Sequence, residues 1–172
     1  MGAEAKSVCD EKVFKGIFDE HAEVTRNFIY YKCKDLQRAE DITQDAFVKL
    51  WQNCKKVVRE KAKSFVMKVA QNAFFNEVAH ERVILKYNQS ASKVKAISES
   101  PEFLMEEKEF MIKLQQSISS LPEKERVVFL LSRKDKKTYR EIAEITGITQ
   151  KAVERRMHLA LQKLKKSIGR SV

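Results

Sequence analysis

The chain has 172 residues, enough for one ordinary domain or two small ones, and 43% of them are hydrophobic, so it can bury a core. Glycine (four) and proline (two) are scarce and 34% of the residues are charged, which favours an all-α protein. The net charge of +10 favours a polyanionic partner, and the lack of a long apolar run or an apolar leader predicts a cytosolic protein rather than a membrane-spanning or secreted one.

Apolar residues at helical spacing predict three helices in the N-terminal half, enough to share one core. The apolar positions of the first helix are Val13, Phe14, Ile17, Phe18, Val24, Phe28 and Ile29. The second helix is predicted over 39–54, and its apolar side consists of Ile42, Ala46, Phe47, Leu50 and Trp51. The third is predicted over roughly 61–85, and its core-facing residues are Phe65, Val69, Phe74 or Phe75, and Val78.

A turn-prone stretch, residues 88–101, follows these helices. It carries four serines and no aromatic residue. Such a composition is typical of a flexible linker, so we predict one domain over 8–87 and another over 102–172.

Four helices are predicted in the C-terminal half, near 101–119, 122–132, 138–145 and 149–168. Ser100 followed by Pro101 is a typical helix start. The segments Ser120–Glu123 and Thr138–Glu141 both have the capping-box pattern, in which each end satisfies a backbone donor of the other.

The last two of these helices have the spacing of a helix-turn-helix. Gly147 lies where the chain must turn with a positive φ angle, and the small Ala143 lies four residues before it. Val153, six residues after the glycine, can then pack the second helix onto the first. This Ala–Gly–Val spacing indicates a DNA-binding helix-turn-helix.

The second helix of this motif separates apolar from polar residues. Its apolar stripe consists of Val153, Met157, Ala160, Leu161, Leu164 and Ile168. Its opposite face carries Lys151, Glu154, Arg155, His158, Gln162 and Lys165, which are side-chain types that contact bases and phosphates. An ordinary amphipathic helix would show the same separation, but here the turn glycine and the small residue accompany it.

Basic residues concentrate in two places. From Lys151 to the end there are seven basic residues against one acid, and between Lys55 and Lys68 there are six against one. Two basic patches suggest a polyanion contacted at two places, although a merely solvated surface would also account for charge runs.

Three cysteines, Cys9, Cys33 and Cys54, are far apart and lack CxxC spacing. We therefore expect three free thiols, no disulfide and no metal site. No pattern for a cofactor is present, so none is expected.

The segment Leu121–Lys166 resembles region four of extracytoplasmic-function (ECF) sigma factors, the small sigma-70 subunits that give bacterial RNA polymerase its promoter specificity. Ala39–Trp51 resembles the most recognisable part of region two of this family, and Ser64–Arg82 resembles the helix that follows. The matches lie in the family's order and together cover nearly all of the chain. The resemblance implies that core RNA polymerase and promoter DNA are the partners, with an anti-sigma factor as a further partner.

The resemblance also assigns residues to three tasks. Those implied for polymerase binding are Glu40, Asp41, Gln44, Asp45, Lys49 and Trp51. Those implied for the minus-ten promoter element are Lys63, Lys68, Asn72, Asn76, Arg82 and Lys86, with Tyr87 beside them. Those implied for the minus-thirty-five element are Gln150, Lys151, Glu154, Arg155, Arg156, His158 and Lys165.

Three positions depart from the family pattern. Asn76 stands where Asp is usual, Ala79 where Arg is usual and Leu159 where Arg is frequent. The first two lie on the helix that is implied for the minus-ten element. The two domains are expected to move about the linker when free, and compaction by a partner would mask both DNA-binding surfaces.

Other classes of protein remain as alternatives. A helix-turn-helix repressor acting without polymerase would use the same C-terminal motif, but it would leave the acidic ridge around Asp41 without a role. A helical adaptor that binds only protein would leave the basic face of the last helix without a role. An enzyme is not expected, because the sequence lacks a nucleophile–base arrangement, a phosphate-binding glycine loop and a metal-binding motif.

Overall fold

A computed structural model describes the backbone of residues 7–87 and 105–169, and the side chains of residues 7–81 and 110–169. The described residues form seven α-helices and no strand, which confirms the all-α prediction. The helices are α1 Glu11–Cys33, α2 Leu36–Gln52, α3 Arg59–Tyr87, α4 Met105–Ser120, α5 Glu123–Arg133, α6 Tyr139–Thr146 and α7 Gln150–Ile168. The predicted linker over 88–101 and the predicted helix start at Ser100 lie outside the described residues.

The N-terminal half is a bundle in which α1, α2 and α3 all contact one another. α1 begins after Asp10, whose carboxylate accepts hydrogen bonds from the backbone N–H groups of Lys12 and Val13. α2 begins in the same way after Asp35. The most deeply buried side chains of the bundle include Phe28, Ile29, Leu50 and Val66.

The core-facing side of α3 is rotated slightly from the predicted one. Its buried side chains are Ala62, Val66, Met67, Ala70 and Phe74. Phe74 confirms the prediction, but Phe65 and Val69 are only half-buried and Phe75 is 48% exposed. Apolar residues stand side by side on this helix, as at 65–67 and 74–75, so their spacing does not select a single face.

The C-terminal half packs α4, α5 and α6 around α7. The apolar stripe predicted for α7 is confirmed, with Val153, Met157, Ala160, Leu164 and Ile168 buried and Leu161 half-buried. Glu125, on α5 and 8% exposed, pairs with Lys163 of α7 at 2.8 Å.

The predicted capping box at Ser120 is wrong. α5 begins at Glu123 after Pro122, and no side chain caps its first N–H groups. Ser120 is the last residue of α4, where its hydroxyl donates to the carbonyl of Ser117 at 2.8 Å. The hydroxyl is thus used by the preceding helix rather than by the following one.

The prediction of three free thiols is also wrong. Cys9 and Cys54 form a disulfide, and only Cys33 is free. The pairing links positions 45 residues apart, because the segment before α1 and the segment after α2 lie at the same end of the bundle. Spacing along the chain could not indicate this neighbourhood.

The two halves pack against each other, chiefly through α1 and α5. The guanidinium of Arg126, buried on α5, donates to the backbone carbonyls of Tyr31 (2.9 Å) and Lys32 (3.2 Å) at the end of α1. Asp135, just after α5, accepts hydrogen bonds from the hydroxyl of Tyr31 and the amide of Asn27. The helices on either side of the predicted linker thus belong to one compact arrangement.

Candidate nucleic-acid interface

The helix-turn-helix forms as its sequence predicts. Thr138 caps α6 in a complete capping box with Glu141, whose carboxylate accepts from the Thr138 backbone N–H at 2.8 Å. This hydrogen bond and one from the Thr138 hydroxyl hold the pKa of Glu141 below its usual value. Gly147 ends α6 with φ +69°, in the left-handed region that favours glycine.

The turn then leads directly into α7. Thr149 caps this helix by accepting from the backbone N–H of Ala152 at 3.2 Å. Val153 is fully buried against the first helix of the motif and Ala143 is half-buried, as the packing signature predicts. The entry angle of α7 is therefore fixed by a glycine, a threonine cap and a buried valine.

The polar face of α7 is open to solvent. Of the residues predicted to face DNA, those exposed are Gln150, Lys151, Glu154, Arg155, His158 and Lys165. Arg156 is half-buried at the edge of this face. The exposed face of α7 carries cationic and amide side chains, and its other face closes the core. The helix can therefore enter a DNA major groove while its buried face stays packed.

A polar line runs along the exposed side of α3. Lys68, Asn72 and Asn76 are all exposed and spaced four residues apart, so they lie on one face. Arg82 and Lys86 continue α3, but their side chains lie outside the described ones. Lys63 is half-buried, and its ammonium lies 3.9 Å from the Glu144 carboxylate on α6. The structure thus brings one predicted minus-ten residue next to the helix-turn-helix.

A cavity of about 800 Å³ lies between α1, α4 and α5, and a second one of about 670 Å³ lies where α2 passes into α3. Among the described residues implied for the minus-ten element, Lys68 lines the second cavity. The other lining residues are Asn53, Lys56, Val57, Val58, Lys61, Ser64 and Phe65. The basic run between Lys55 and Lys68 was predicted only as a charged patch. The cavity was not predicted, because an amide, an aromatic ring and three lysines become neighbours only when the loop after α2 folds back.

The outer side of α2 is acidic and partly aromatic. Asp41, Gln44, Asp45 and Lys49 are exposed, as predicted, and Glu40 is half-buried. Trp51 is 45% exposed rather than buried with the apolar side, and its ring packs edge-on against Phe14 with centroids 5.0 Å apart.

Apolar residues extend this face of α2. Phe18 on α1 is 39% exposed beside Phe47, and Val48 on α2 is 52% exposed. A ridge that combines carboxylates with exposed large apolar side chains is typical of a protein-binding surface. The charged members of this ridge were predicted from the sequence, whereas Phe18 was predicted only as an apolar position of the first helix and Val48 was not predicted.

Within the parts of the chain that the structure describes, no helix is long and apolar enough to cross a membrane. No group of three or more His, Cys, Asp or Glu side chains among the described residues is arranged to hold a metal ion.

Two family models match this chain, in the same order as the two halves of the structure. The model of sigma-70 region 2 matches residues 17–83, and the model of sigma-70 region 4 matches residues 111–164. Among curated proteins, the chain is similar to the ECF RNA polymerase sigma factor SigW of Bacillus subtilis (strain 168). The two are 26% identical over 173 residues, covering 92% of this chain and 90% of that protein.

The fold is similar to a solved structure. That structure is the sigma factor RpoE in complex with the anti-sigma factor NepR, from Bartonella quintana. The TM-score is 0.66 at 18% identity, over 92% of this chain and 98% of that one. At this identity the likeness concerns the fold alone.

Proposed function

This chain belongs to the sigma-70 family, as a member of its ECF group, and from this premise we propose that it binds core RNA polymerase and directs it to specific promoters. The observation that carries the proposal is the pairing of region 2 and region 4 in one chain, with a solvent-exposed basic helix in the second. A repressor would need only the helix-turn-helix. The chemistry of RNA synthesis would belong to the polymerase, so the chain acts without a cofactor and works in the cytoplasm with that enzyme.

We assign the minus-thirty-five element to the outer face of α7. Lys151, Glu154, Arg155 and His158 occupy the N-terminal half of the helix, where side chains reach base edges. Arg156 and Lys165 lie at the edge and farther along, where phosphates are within reach. Arg155 is the side chain most suited to a guanine, because its planar guanidinium can donate two hydrogen bonds to one base.

We assign the minus-ten element to the exposed line on α3 together with the cavity beside it. Opening the duplex requires a place for an unstacked base and cations for the single-stranded backbone. The cavity supplies the amide of Asn53, the ring of Phe65 and the hydroxyl of Ser64. Lys56, Lys61 and Lys68 on its rim supply the cations.

We assign polymerase binding to the outer ridge of α2. Asp41, Gln44 and Asp45 form one exposed polar cluster at i, i+3 and i+4 spacing. Trp51 and Val48 add exposed apolar surface of the kind that dominates binding energy at the centre of an interface.

An anti-sigma factor is a further proposed partner. The structurally similar RpoE was solved with one, and the apolar cavity of about 800 Å³ touches both halves of this chain through α1, α4 and α5. A ligand seated there would contact both halves at once.

Transcription by polymerase that lacks sigma tests the proposal directly. The protein would be added to core RNA polymerase, and run-off products would be read over a library of promoter fragments. We expect discrete new start sites that appear only with the protein. Asp45→Ala on the α2 ridge should weaken this stimulation, and Asp19→Ala, which removes another exposed carboxylate from α1, is the matched control. Tight DNA binding without any stimulation would instead identify a repressor.

A further inference from the structure

We propose that Cys9 and Cys54 are a reversible thiol–disulfide site, which in its oxidised form orders the loop at the minus-ten cavity and strengthens the binding of single-stranded DNA there. The loop in question, the α2–α3 loop, consists of residues 53–58. This inference rests on the proposed function, which assigns the minus-ten element to this cavity and places the protein in the cytoplasm.

The disulfide joins the segment before α1 to the α2–α3 loop. Cys9 directly precedes Asp10, the residue that caps α1, and Cys54 is the second residue of the loop. The residues of this loop that line the cavity are Asn53, Lys56, Val57 and Val58. The bond between the two sulfurs therefore ties to the bundle the segment that forms part of the cavity wall.

The fold of the N-terminal half does not depend on this bond. The bundle has an apolar core of its own, in which Phe28 and Ile29 are fully buried, whereas domains that need a disulfide are usually too small to build one. Val8, 1% exposed, holds the segment before α1 in place without the sulfur. Within the loop, the N–H of Lys56 donates to the carbonyl of Asn53 at 2.8 Å. Loss of the disulfide should therefore loosen the loop and leave the helices in place.

The two sulfurs are placed where small molecules in solution can react with them. Cys9 and Cys54 are both half-buried, and both lie in turns at one end of the bundle. The exposed Lys55 and Lys56 follow Cys54 and would attract an anionic low-molecular-weight disulfide such as oxidised glutathione. In a reducing cytosol, disulfides that do form are usually transient and redox-sensing. The pair therefore has the position of a site that follows the redox state of its surroundings.

The third cysteine is separated from this pair. Cys33 lies at the opposite end of α1, a helix of 23 residues and so ~35 Å long. Its thiol donates to the backbone carbonyl of Asp35 at 3.2 Å, and burial raises its pKa. A raised pKa disfavours the thiolate, which is the form that attacks a disulfide. The exchange is therefore confined to Cys9 and Cys54, and Cys33 provides an internal control.

Oxidation of the pair takes two thiol–disulfide exchange steps. The thiolate of one cysteine attacks the small disulfide, forms a mixed disulfide with it and releases one small thiolate. The thiolate of the other cysteine then attacks the protein sulfur of the mixed disulfide and releases the second small thiolate. The released thiolates take up the two protons that the cysteines lost, and the two electrons lost by the cysteine pair reduce the small disulfide. The same steps in reverse, with the small thiol in excess, reduce the pair.

Hydrogen exchange on the full chain tests whether the loop responds to the redox state. Wild-type protein would be equilibrated with oxidised or reduced glutathione, and thiol labelling should find one free thiol in the first case and three in the second. Backbone amides of residues 53–58 should exchange faster in the reduced protein. Cys9→Ser and Cys54→Ser should exchange like the reduced wild type under both conditions, and Cys33→Ser should behave like the wild type.

Strand binding tests the consequence for the cavity. The probe is single-stranded DNA with the minus-ten sequence read from the start sites of the run-off assay, bound by the polymerase complex. The oxidised complex should bind it about 2- to 10-fold more tightly than the reduced complex, because a loop that is already ordered loses less freedom on binding. The ratio should fall to one in Cys9→Ser and Cys54→Ser and should persist in Cys33→Ser.

The outcomes separate this inference from the proposed function. Three results would each overturn the thiol–disulfide site even if the protein supports transcription: a pair that keeps one state at every glutathione ratio, loop exchange that ignores the redox state, or equal strand affinities of the two complexes. Loop exchange that follows the redox state, in a chain that does not stimulate core polymerase, would support the site and count against the proposed function alone.

Discussion

The two helices assigned to DNA, α7 and α3, differ in how they are built. α7 has a threonine cap at its start, a left-handed glycine at its end, one buried stripe and one exposed face. α3 is 29 residues long, and its side chains meet α1, α2 and, through Lys63, the helix-turn-helix. The buried residues of α7 form one stripe that meets all of its neighbours, so the periodicity of α7 indicates its orientation. Apolar residues stand side by side on α3, as at 65–67 and 74–75, so the periodicity of α3 does not.

Removing a buried residue of α7 should have the largest effect and test whether its stripe closes the C-terminal core. Leu164→Ala should lower the free energy of unfolding by about 2–5 kcal/mol, because the fully buried side chain would leave a cavity. Urea denaturation measures the change. Gln162→Ala, on the exposed side of the same helix, should stay within about 0.5 kcal/mol. Equal losses for the two variants would contradict the division into faces.

Arg155→Ala should weaken the proposed promoter recognition by α7 without changing the fold. We expect a loss of about 1–3 kcal/mol in discrimination between promoter and random DNA, as for a guanidinium that contacts a guanine. The measurement is a competition titration with the polymerase complex. Lys165→Ala serves as the comparison and should weaken both DNAs alike. If Arg155→Ala also weakens both alike, Arg155 is a phosphate contact.

Thr138→Ala should show how much the start of the helix-turn-helix depends on its cap. Loss of the capping box should cost about 0.5–2 kcal/mol of unfolding free energy near neutral pH. The pKa of Glu141 is lowered in the folded protein. The ionised carboxylate therefore contributes fully to the free energy of unfolding above the ordinary pKa of glutamate, and this contribution is lost as the pH falls through the lower pKa of the folded state. The difference between wild type and variant should therefore shrink in acid. A difference that is constant from neutral pH into acid would argue against the Thr138–Glu141 pair.

Lys61→Ala should give the smallest change, on the α3 side of the comparison. If Lys61 contacts single-stranded phosphate beside the cavity, the slope of log affinity against log salt should fall by about 0.7. Single-stranded DNA with the minus-ten sequence is the probe, bound by the polymerase complex. Lys12→Ala is the control, because Lys12 is also exposed but lies on α1, and it should leave the slope unchanged. No change with Lys61→Ala would remove this lysine from the proposed path of the strand.

Local rules were sufficient for much of the fold. The capping box at Thr138, the turn at Gly147 and the stripe through Val153 and Leu164 depend on residues within a few turns of one another, and each is confirmed. The start of α5 failed the same rule because Ser120 could serve either of two adjacent helices.

Features that depend on distant residues could not be predicted. The Cys9–Cys54 disulfide, the cavity between α2 and α3 and the insertion of Arg126 into the end of α1 all join segments far apart in the chain. No periodicity carries that information. Side chains that only had to be exposed, such as Asp45 on α2, were therefore predicted better than sites assembled from several segments.

The division of α7 into two faces has a consequence for evolution. The residues that hold the helix in place and the residues proposed to contact DNA lie on different faces of one short helix. Exchanges at Lys151, Glu154, Arg155 or His158 should cost little stability, since exposed positions usually tolerate substitution within about 0.5 kcal/mol. A duplicated copy of such a protein could therefore acquire a new set of target genes through a handful of mutations while inheriting its scaffold intact.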